Sequence, residues 1–317
     1  MTYLILLLSL TALILGADIL VRGSVNLASA MGVSTLVIGL TLVAWGTSAP
    51  ELVVSLTAGL QNEYGIALGN IIGSNLANIL LIGGLGAFLI PLSTHGMGLR
   101  FNAILLLLVS LILAIMVASG YLNPIIGFAL LGIKVFMLYQ SFRGHITPTE
   151  EVTPESMSLM QAALMTLGGA VLVGAGGFAL VESATALAHA WHIPSAIIGL
   201  SVVAIGTSLP ELAATIAAAR QRQGDLILGN IIGSNLANIL IVLGFTSLLA
   251  PGRIYGAGHY GSVVESYAPV LLFLMVVTLA LTAFVFLKRP LNRLTGLIFM
   301  IVYGIFILGS FFAGGDL

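Results

Sequence analysis

The chain has 317 residues, of which 59% are hydrophobic and only 7% charged, with a formal net charge of −1 and no cysteine. A soluble domain carries about 25% charged residues, so this composition, with a mean hydropathy of +1.17, excludes a soluble protein. The absence of a basic block excludes nucleic acid as a partner, and the absence of cysteine excludes disulfides, thiol catalysis and thiolate metal sites.

Apolar stretches able to cross about 30 Å of hydrocarbon recur from end to end. They predict an all-α polytopic membrane protein of ten transmembrane helices. The first runs from about Thr2 to Ala28, with no basic leading region and too long an apolar run for a signal segment, so it reads as a retained helix. The second spans about Val33 to Gln61 and is broken at Pro50. The third to fifth cover about Gly65–Ile90, Phe101–Ala118 and Leu122–Phe142. A polar segment, 143–157, carries Glu150, Glu151 and Glu155 and divides the chain into halves 1–142 and 158–317. The sixth to tenth helices cover about Ser158–Ala190, Ser195–Gln221, Asp225–Leu249, Tyr267–Leu287 and Leu291–Phe312. The glycine-rich stretch Gly168 to Gly177 in the sixth reads as close helix packing, because a phosphate loop needs a preceding strand and a lysine.

Basic residues set the expected orientation. Loops after odd-numbered helices carry or border Arg100, Arg143, Arg220, Arg222, Lys288, Arg289 and Arg293, whereas those after even-numbered helices carry only Arg253. The positive-inside rule then places the central linker in the cytoplasm and both termini outside. With five helices in each half, the second half enters the bilayer upside down relative to the first. Secondary transporters share this inverted-repeat design, with the substrate site at the midplane where interrupted helices meet.

The halves also share sequence. Leu68 to Leu80 (L-G-N-I-I-G-S-N-L-A-N-I-L) is identical to Leu228 to Leu240, and Gly46-Thr47-Ser48-Ala49-Pro50-Glu51 answers to Gly206-Thr207-Ser208-Leu209-Pro210-Glu211 at the same offset. Each copy places a carboxylate in an apolar helix, at a typical cost of about 3 kcal/mol, and intramembrane carboxylates are functional by default. Pro50 offers no N–H to the Gly46 carbonyl, so the preceding turn loosens. Freed carbonyls at membrane depth need a partner or a hydrated cavity. Thr47 and Glu51 share a face with Ser48 beside them, and Thr207, Ser208 and Glu211 repeat the arrangement. Asn70, Ser74 and Asn78, four residues apart, form a polar stripe mirrored by Asn230, Ser234 and Asn238. Interhelical hydrogen bonding is the alternative role for Asn70 and Asn230, and the favoured one for Asn75 and Asn235, which lie off the stripe. Gly69, Gly73, Gly229 and Gly233 would let neighbouring helices approach. The resulting inventory is all oxygen, as a hard cation such as Ca²⁺ or Na⁺ requires. No histidine falls near it, which disfavours zinc and copper. Asp18 lies four residues before Arg22 and predicts a local ion pair; Glu182 has no evident partner.

The paired G-T-S-x-P-E and G-N-I-I-G-S-N-L-A-N segments resemble the alpha-repeats of the cation/calcium exchanger superfamily, most of all its prokaryotic sodium/calcium exchangers. The resemblance implies an inner-membrane antiporter that exchanges three Na⁺ for one Ca²⁺ by alternating access, with no cofactor and no obligate protein partner, its long first and sixth helices sliding across the site. It implies that Glu51 and Glu211 bridge calcium with help from the backbone at Thr47 and Thr207. Sodium would use the same glutamates with Ser48, Ser208, Ser74 and Ser234 and the carbonyls of Ala44 and Ala204, with Asn78 and Asn238 in the same cavity. Some members of the superfamily carry aspartate where Asn238 stands. Two carboxylates balance one Ca²⁺ and leave one positive charge with three Na⁺, which favours electrogenic exchange over potassium co-transport. H⁺/Ca²⁺ exchange is the alternative. A channel suits a two-fold inverted repeat less well, and a membrane hydrolase lacks a base beside its serines.

Overall fold

The structure, a computed structural model, describes residues 2–95, 98–143, 157–190, 206–254 and 260–313. Its helices are α1 (Thr2–Met31), α2 (Thr35–Thr47), α3 (Ala49–Leu60), α4 (Tyr64–Leu89), α5 (Leu99–Ser119), α6 (Pro124–Arg143), α7 (Leu159–Ala190), α8 (Leu209–Arg220), α9 (Gly224–Leu249), α10 (Tyr260–Phe286) and α11 (Arg293–Ala313). Among the described residues seven helices are long and apolar enough to cross a membrane, or eight if α2 and α3, bent by 47°, are one span. The sequence predicted ten. The start of the expected seventh helix, within 191–205, lies outside the described residues, as does most of the linker, and α11 is apolar but shorter over Arg293–Gly309. α10 begins at Tyr260, earlier than its polar leading residues implied, with Pro269 inside the helix.

The break in the second span falls at Ser48 (φ −86°, ψ 9°), and Ser208 repeats it (φ −90°, ψ 4°). Pro50 and Pro210 sit in the first turn of the helix that follows, where a missing N–H costs nothing. The interruption therefore lies two residues upstream of the proline. Both α3 and α8 end in a left-handed residue, Asn62 (φ 62°) and Arg222 (φ 56°), so the duplication extends to backbone conformation. Three further irregularities had no sequence signal: wide π-type turns at Gly39–Val43, Ala77–Ile82 and Asn238–Leu243. Such a turn takes one extra residue, which rotates everything beyond it by about 100°. Two of the three open on, or one residue before, Asn78 and Asn238.

Glycine contacts decide which helices approach. α1 and α7 run antiparallel along their lengths: a Cβ on Gly16 would lie 2.8 Å from Val173 N, one on Gly23 2.5 Å from Thr166 N, and one on Gly176 2.8 Å from Leu13 N. The glycine-rich stretch is thus a packing surface, as expected. α2 and α9 cross equally closely, with a Gly39 Cβ 2.7 Å from Leu226 O and a Gly233 Cβ 2.7 Å from Leu40 Cα. α9 is enclosed by protein over its whole apolar window. Gly69 and Gly73 have nothing within 4 Å among the described residues; the chain segment matching α2, 195–204, lies outside them.

Loops of the two halves tie together at two places. Leu92 and Leu291 exchange backbone hydrogen bonds of 2.9 and 3.0 Å. β1 (Tyr121–Leu122) pairs antiparallel with β2 (Gly252–Arg253). Substituting Gly23 by Leu should separate α1 from α7, because the new side chain meets the Thr166 backbone rather than a flexible tip. We expect a loss of about 1–3 kcal/mol, the usual range for overpacking, read as a lowered thermal midpoint in detergent. Gly304→Ala, with nothing within 4 Å, should leave the midpoint unchanged.

Candidate functional site

The two breaks deliver side chains from opposite halves to one place. The Ser48 hydroxyl, on the break of the first half, donates to Glu211 Oε1 of the second at 2.9 Å. Thr47 donates to Asn230 Oδ1 at 3.4 Å and lies 3.5 Å from Ser234 Oγ. The mirror contact runs from Thr207 to Asn70 Oδ1 at 3.4 Å. Asn70 also donates to the Glu51 carbonyl at 3.2 Å and to Ser55 Oγ at 2.8 Å, fixing the α3–α4 corner. Asn70 and Asn230 are therefore posts that receive a threonine from the opposite half. The close α2–α9 crossing brings Thr47 within reach of Asn230 and Ser234.

Glu51 and Glu211 are both fully buried. Glu211 and Ser74 lie within electrostatic reach of Glu51, as do Ser48, Thr47 and Ser234 of Glu211. Much of this polar chemistry has no protein partner. Both carboxylate oxygens of Glu51, Oε2 of Glu211, the hydroxyls of Ser74 and Ser208, and both amide atoms of Asn78 and Asn238 are buried and unpaired. An unpaired buried polar group costs about 1–3 kcal/mol, more when charged. Unsatisfied oxygens of this kind, two carboxylates among them, are the donor set that suits a hard cation, which offers no hydrogen bond and takes only oxygen lone pairs. Among the described residues no three His, Cys, Asp or Glu side chains gather to hold a metal. Whatever charge the cluster carries thus comes from two carboxylates.

Other predicted residues fare unevenly. The Ala44 carbonyl already accepts from Ser48 N at 3.1 Å and from the Thr47 hydroxyl at 3.5 Å, leaving at most a spare lone pair. Ala204 lies outside the described residues. Asn235 donates to Ile231 O at 2.7 Å, one turn back on its own helix rather than across to another, and Asn75 is fully buried with neither amide atom paired. Asp18 and Arg22 form no ion pair: Arg22 is exposed, and holding two free side chains together there costs more entropy than the contact returns. Glu182 is exposed. Ser55 and Thr215 escaped the sequence reading. Each is fully enclosed one turn beyond its glutamate, and Ser55 joins Asn70 to the Ala67 carbonyl, which it meets at 3.3 Å. Their spacing of four from Glu51 and Glu211 was the available signal.

Comparison with known proteins converges on one family. The family model for the sodium/calcium exchanger protein matches residues 1–143 and 161–312. The chain is 36% identical to the putative antiporter CaxA of Alkalimonas amylolytica over 94% of each chain. It is 32% identical to the sodium/calcium exchanger MaX1 of Methanosarcina acetivorans over 98% of each, and 37% identical to the inner membrane protein YrbG of Escherichia coli over 79% of this chain and 80% of that one. The solved structure of the sodium-calcium exchanger NCX_Mj soaked with 2.5 mM Na⁺ and 1 mM Sr²⁺ superposes with a TM-score of 0.83, at 32% identity and 97% coverage of both chains. With its paired breaks, its cluster of buried oxygens and these matches along nearly its full length, the chain belongs to the sodium/calcium exchanger family of cation/Ca²⁺ antiporters.

Proposed function

We propose that this antiporter exchanges three Na⁺ for one Ca²⁺ by alternating access, and that its ions bind where the two breaks meet. The observation that carries the reading is the Ser48–Glu211 contact between halves, set beside a buried Glu51 carboxylate that has Ser74 within electrostatic reach but, among the described residues, accepts no side-chain hydrogen bond. Calcium would lie between Glu51 and Glu211 with Thr47 and Thr207. Sodium would use the same carboxylates with Ser48, Ser208, Ser74, Ser234 and the carbonyls of Ala44 and Ala204. Asn78 and Asn238 complete the cavity. Two relatives support the ion pair by name, the exchangers MaX1 and NCX_Mj. Mammalian sodium/potassium/calcium exchangers match only 42–44% of the chain, which gives potassium no comparable support.

The same proposal includes ten spans in two inverted halves, 1–142 and 158–317, joined by the cytoplasmic linker 143–157, with both termini outside an inner membrane. The loop ties support inversion. Leu92–Leu291 joins the loops after the expected third and ninth helices, and β1–β2 those after the fourth and eighth. In each pair the two loops share a side only if the halves are inverted.

The test is ⁴⁵Ca²⁺ uptake into proteoliposomes loaded with sodium, repeated with a proton gradient alone. Uptake driven by sodium supports the proposal; uptake driven only by protons replaces it with H⁺/Ca²⁺ exchange. Voltage should matter as well. When three Na⁺ leave as one Ca²⁺ enters, one net positive charge exits, worth about 2.3 kcal/mol per 100 mV. A valinomycin-set potential positive inside should accelerate uptake and a negative one slow it. Rates indifferent to potential would establish electroneutral exchange instead.

A further inference from the structure

The exchange reading leaves a buried charged group at membrane depth unused. Lys134 lies midway along α6 with 5% of its surface exposed. Its ammonium meets the Met137 sulfur at 4.0 Å and, among the described residues, no carboxylate. α6 packs against the last stretch of α9. A Cβ on Gly127 would sit 2.7 Å from Gly244 O and 2.9 Å from Leu248 N, and one on Gly244 would sit 3.1 Å from the Leu131 side chain. Residue numbers thus rise along α6 as they fall along α9. Lys134, one turn past Leu131, therefore stands beside the π-type turn Asn238–Leu243, and its contact with Met137 points the ammonium towards the Asn238 end. Neither that turn nor Gly244–Leu249 contains a titratable residue.

The other half lacks this charge. Gly296 seats on Gly84 O and Phe88 N as Gly127 seats on Gly244 O and Leu248 N. Counting seven residues on from each glycine pairs Lys134 with Tyr303, a buried neutral ring. An isolated charge is expensive inside a membrane protein and calls for an opposing field. The same turn of α9 packs on another side against α3, the helix that carries Glu51.

Building on the exchange reading, we propose that Lys134 is a resident cation that stands in for part of the ion charge. It stabilises the paired glutamates between ion-bound states and opposes each arriving ion in proportion to that ion's charge. Helix axes pack about 8–10 Å apart; at about 12 Å, a little more than one such spacing, with an effective dielectric constant near 20, a unit charge changes the affinity for a monovalent ion about tenfold. A divalent ion feels twice the free energy, and so the square of that factor. Lys134 is then a specificity-determining residue: it weakens Ca²⁺ binding more than Na⁺ binding and eases calcium release.

The experiment measures the concentration dependence of ⁴⁵Ca²⁺ uptake, and its inhibition by external Na⁺, for wild type, K134M and K134R in proteoliposomes. K134M should tighten apparent Ca²⁺ affinity by about the square of its effect per Na⁺, about 100-fold against about 10-fold, and K134R should keep wild-type values. K134Q, polar and neutral, supplies the same reading should K134M fail to insert. Unchanged affinities in the neutral variants, equal factors for both ions, or K134R behaving as K134M would each overturn the proposal while leaving exchange intact. A wild type without sodium-driven uptake overturns the exchange reading itself.

Discussion

Glu51→Gln and Glu211→Gln should each reduce calcium transport at least a hundredfold while the protein still folds and inserts. Both carboxylates are fully enclosed, so the ion they hold is desolvated and must be balanced locally. Leaving a buried charge without its partner costs about 3–5 kcal/mol, and every 1.4 kcal/mol is about tenfold in affinity. One remaining carboxylate cannot neutralise a divalent cation. Folding is spared because the breaks at Ser48 and Ser208 are set by Pro50 and Pro210, and glutamine keeps the shape of glutamate with no charge to bury. The variants should differ in a second respect. In Glu211→Gln the new amide retains an oxygen to accept from Ser48 at 2.9 Å, whereas Glu51 has only the looser approach of Ser74 to keep; a thermal melt should therefore show Glu51→Gln gaining the more stability. Wild-type exchange rates in either purified variant, at unchanged monodispersity, would remove both residues from the site.

What could be read in the sequence was whatever leaves a chemical trace in one residue. Pro50 and Pro210 announced the interruptions, Glu51 and Glu211 announced a need for charge, and the identical Leu68–Leu80 and Leu228–Leu240 segments announced two copies of one structure. The spacing of Asn70, Ser74 and Asn78 was legible as a stripe, but not that Asn70 is spent on the Glu51 carbonyl and Ser55. Hydrogen-bond partners on other helices have no spacing in sequence. The π-type turns were invisible because the motif is apolar on either side of Asn78 and Asn238 and contains no breaker there. A Cβ on Gly83 would come within 3.2 Å of the Asn78 carbonyl five residues back, so glycine there accommodates the wide turn. Asp18 and Arg22 failed the other way: correct spacing on a helix face does not make an exposed arginine pair. Identical repeats also concealed an asymmetry. Among the described residues only the second half gives its glutamate a serine from the opposite break, since Ser208 remains unpaired, and only the first half places a lysine against its neighbour's turn.

Asn238→Asp should leave calcium exchange in place and make it strongly dependent on pH. Asn238 opens the π-type turn of α9, one turn beyond Ser234, and is fully buried with neither amide atom paired. Ser234 lies 3.5 Å from Thr47 and within electrostatic reach of Glu211, so an acid added at residue 238 joins the same polar cluster. Between ion-bound states three carboxylates exceed what the Lys134 ammonium can offset; that excess must be balanced in a membrane interior, and a proton is the small cation always at hand. Binding and release of that proton would then accompany the transport cycle, whereas an amide exchanges none. Initial ⁴⁵Ca²⁺ uptake at a fixed sodium gradient, measured between about pH 6 and pH 8, should change about tenfold in the variant, the response to pH of a single titrating group, and much less in wild type. The same variant should shift the sensitivity of uptake to membrane potential, because the charge carried by the site differs by one whenever the aspartate is ionised. Superimposable pH profiles for the two proteins would place residue 238 outside the ion cavity, and the π-type turn would then be a packing adjustment that serves the crossing of α6 over α9.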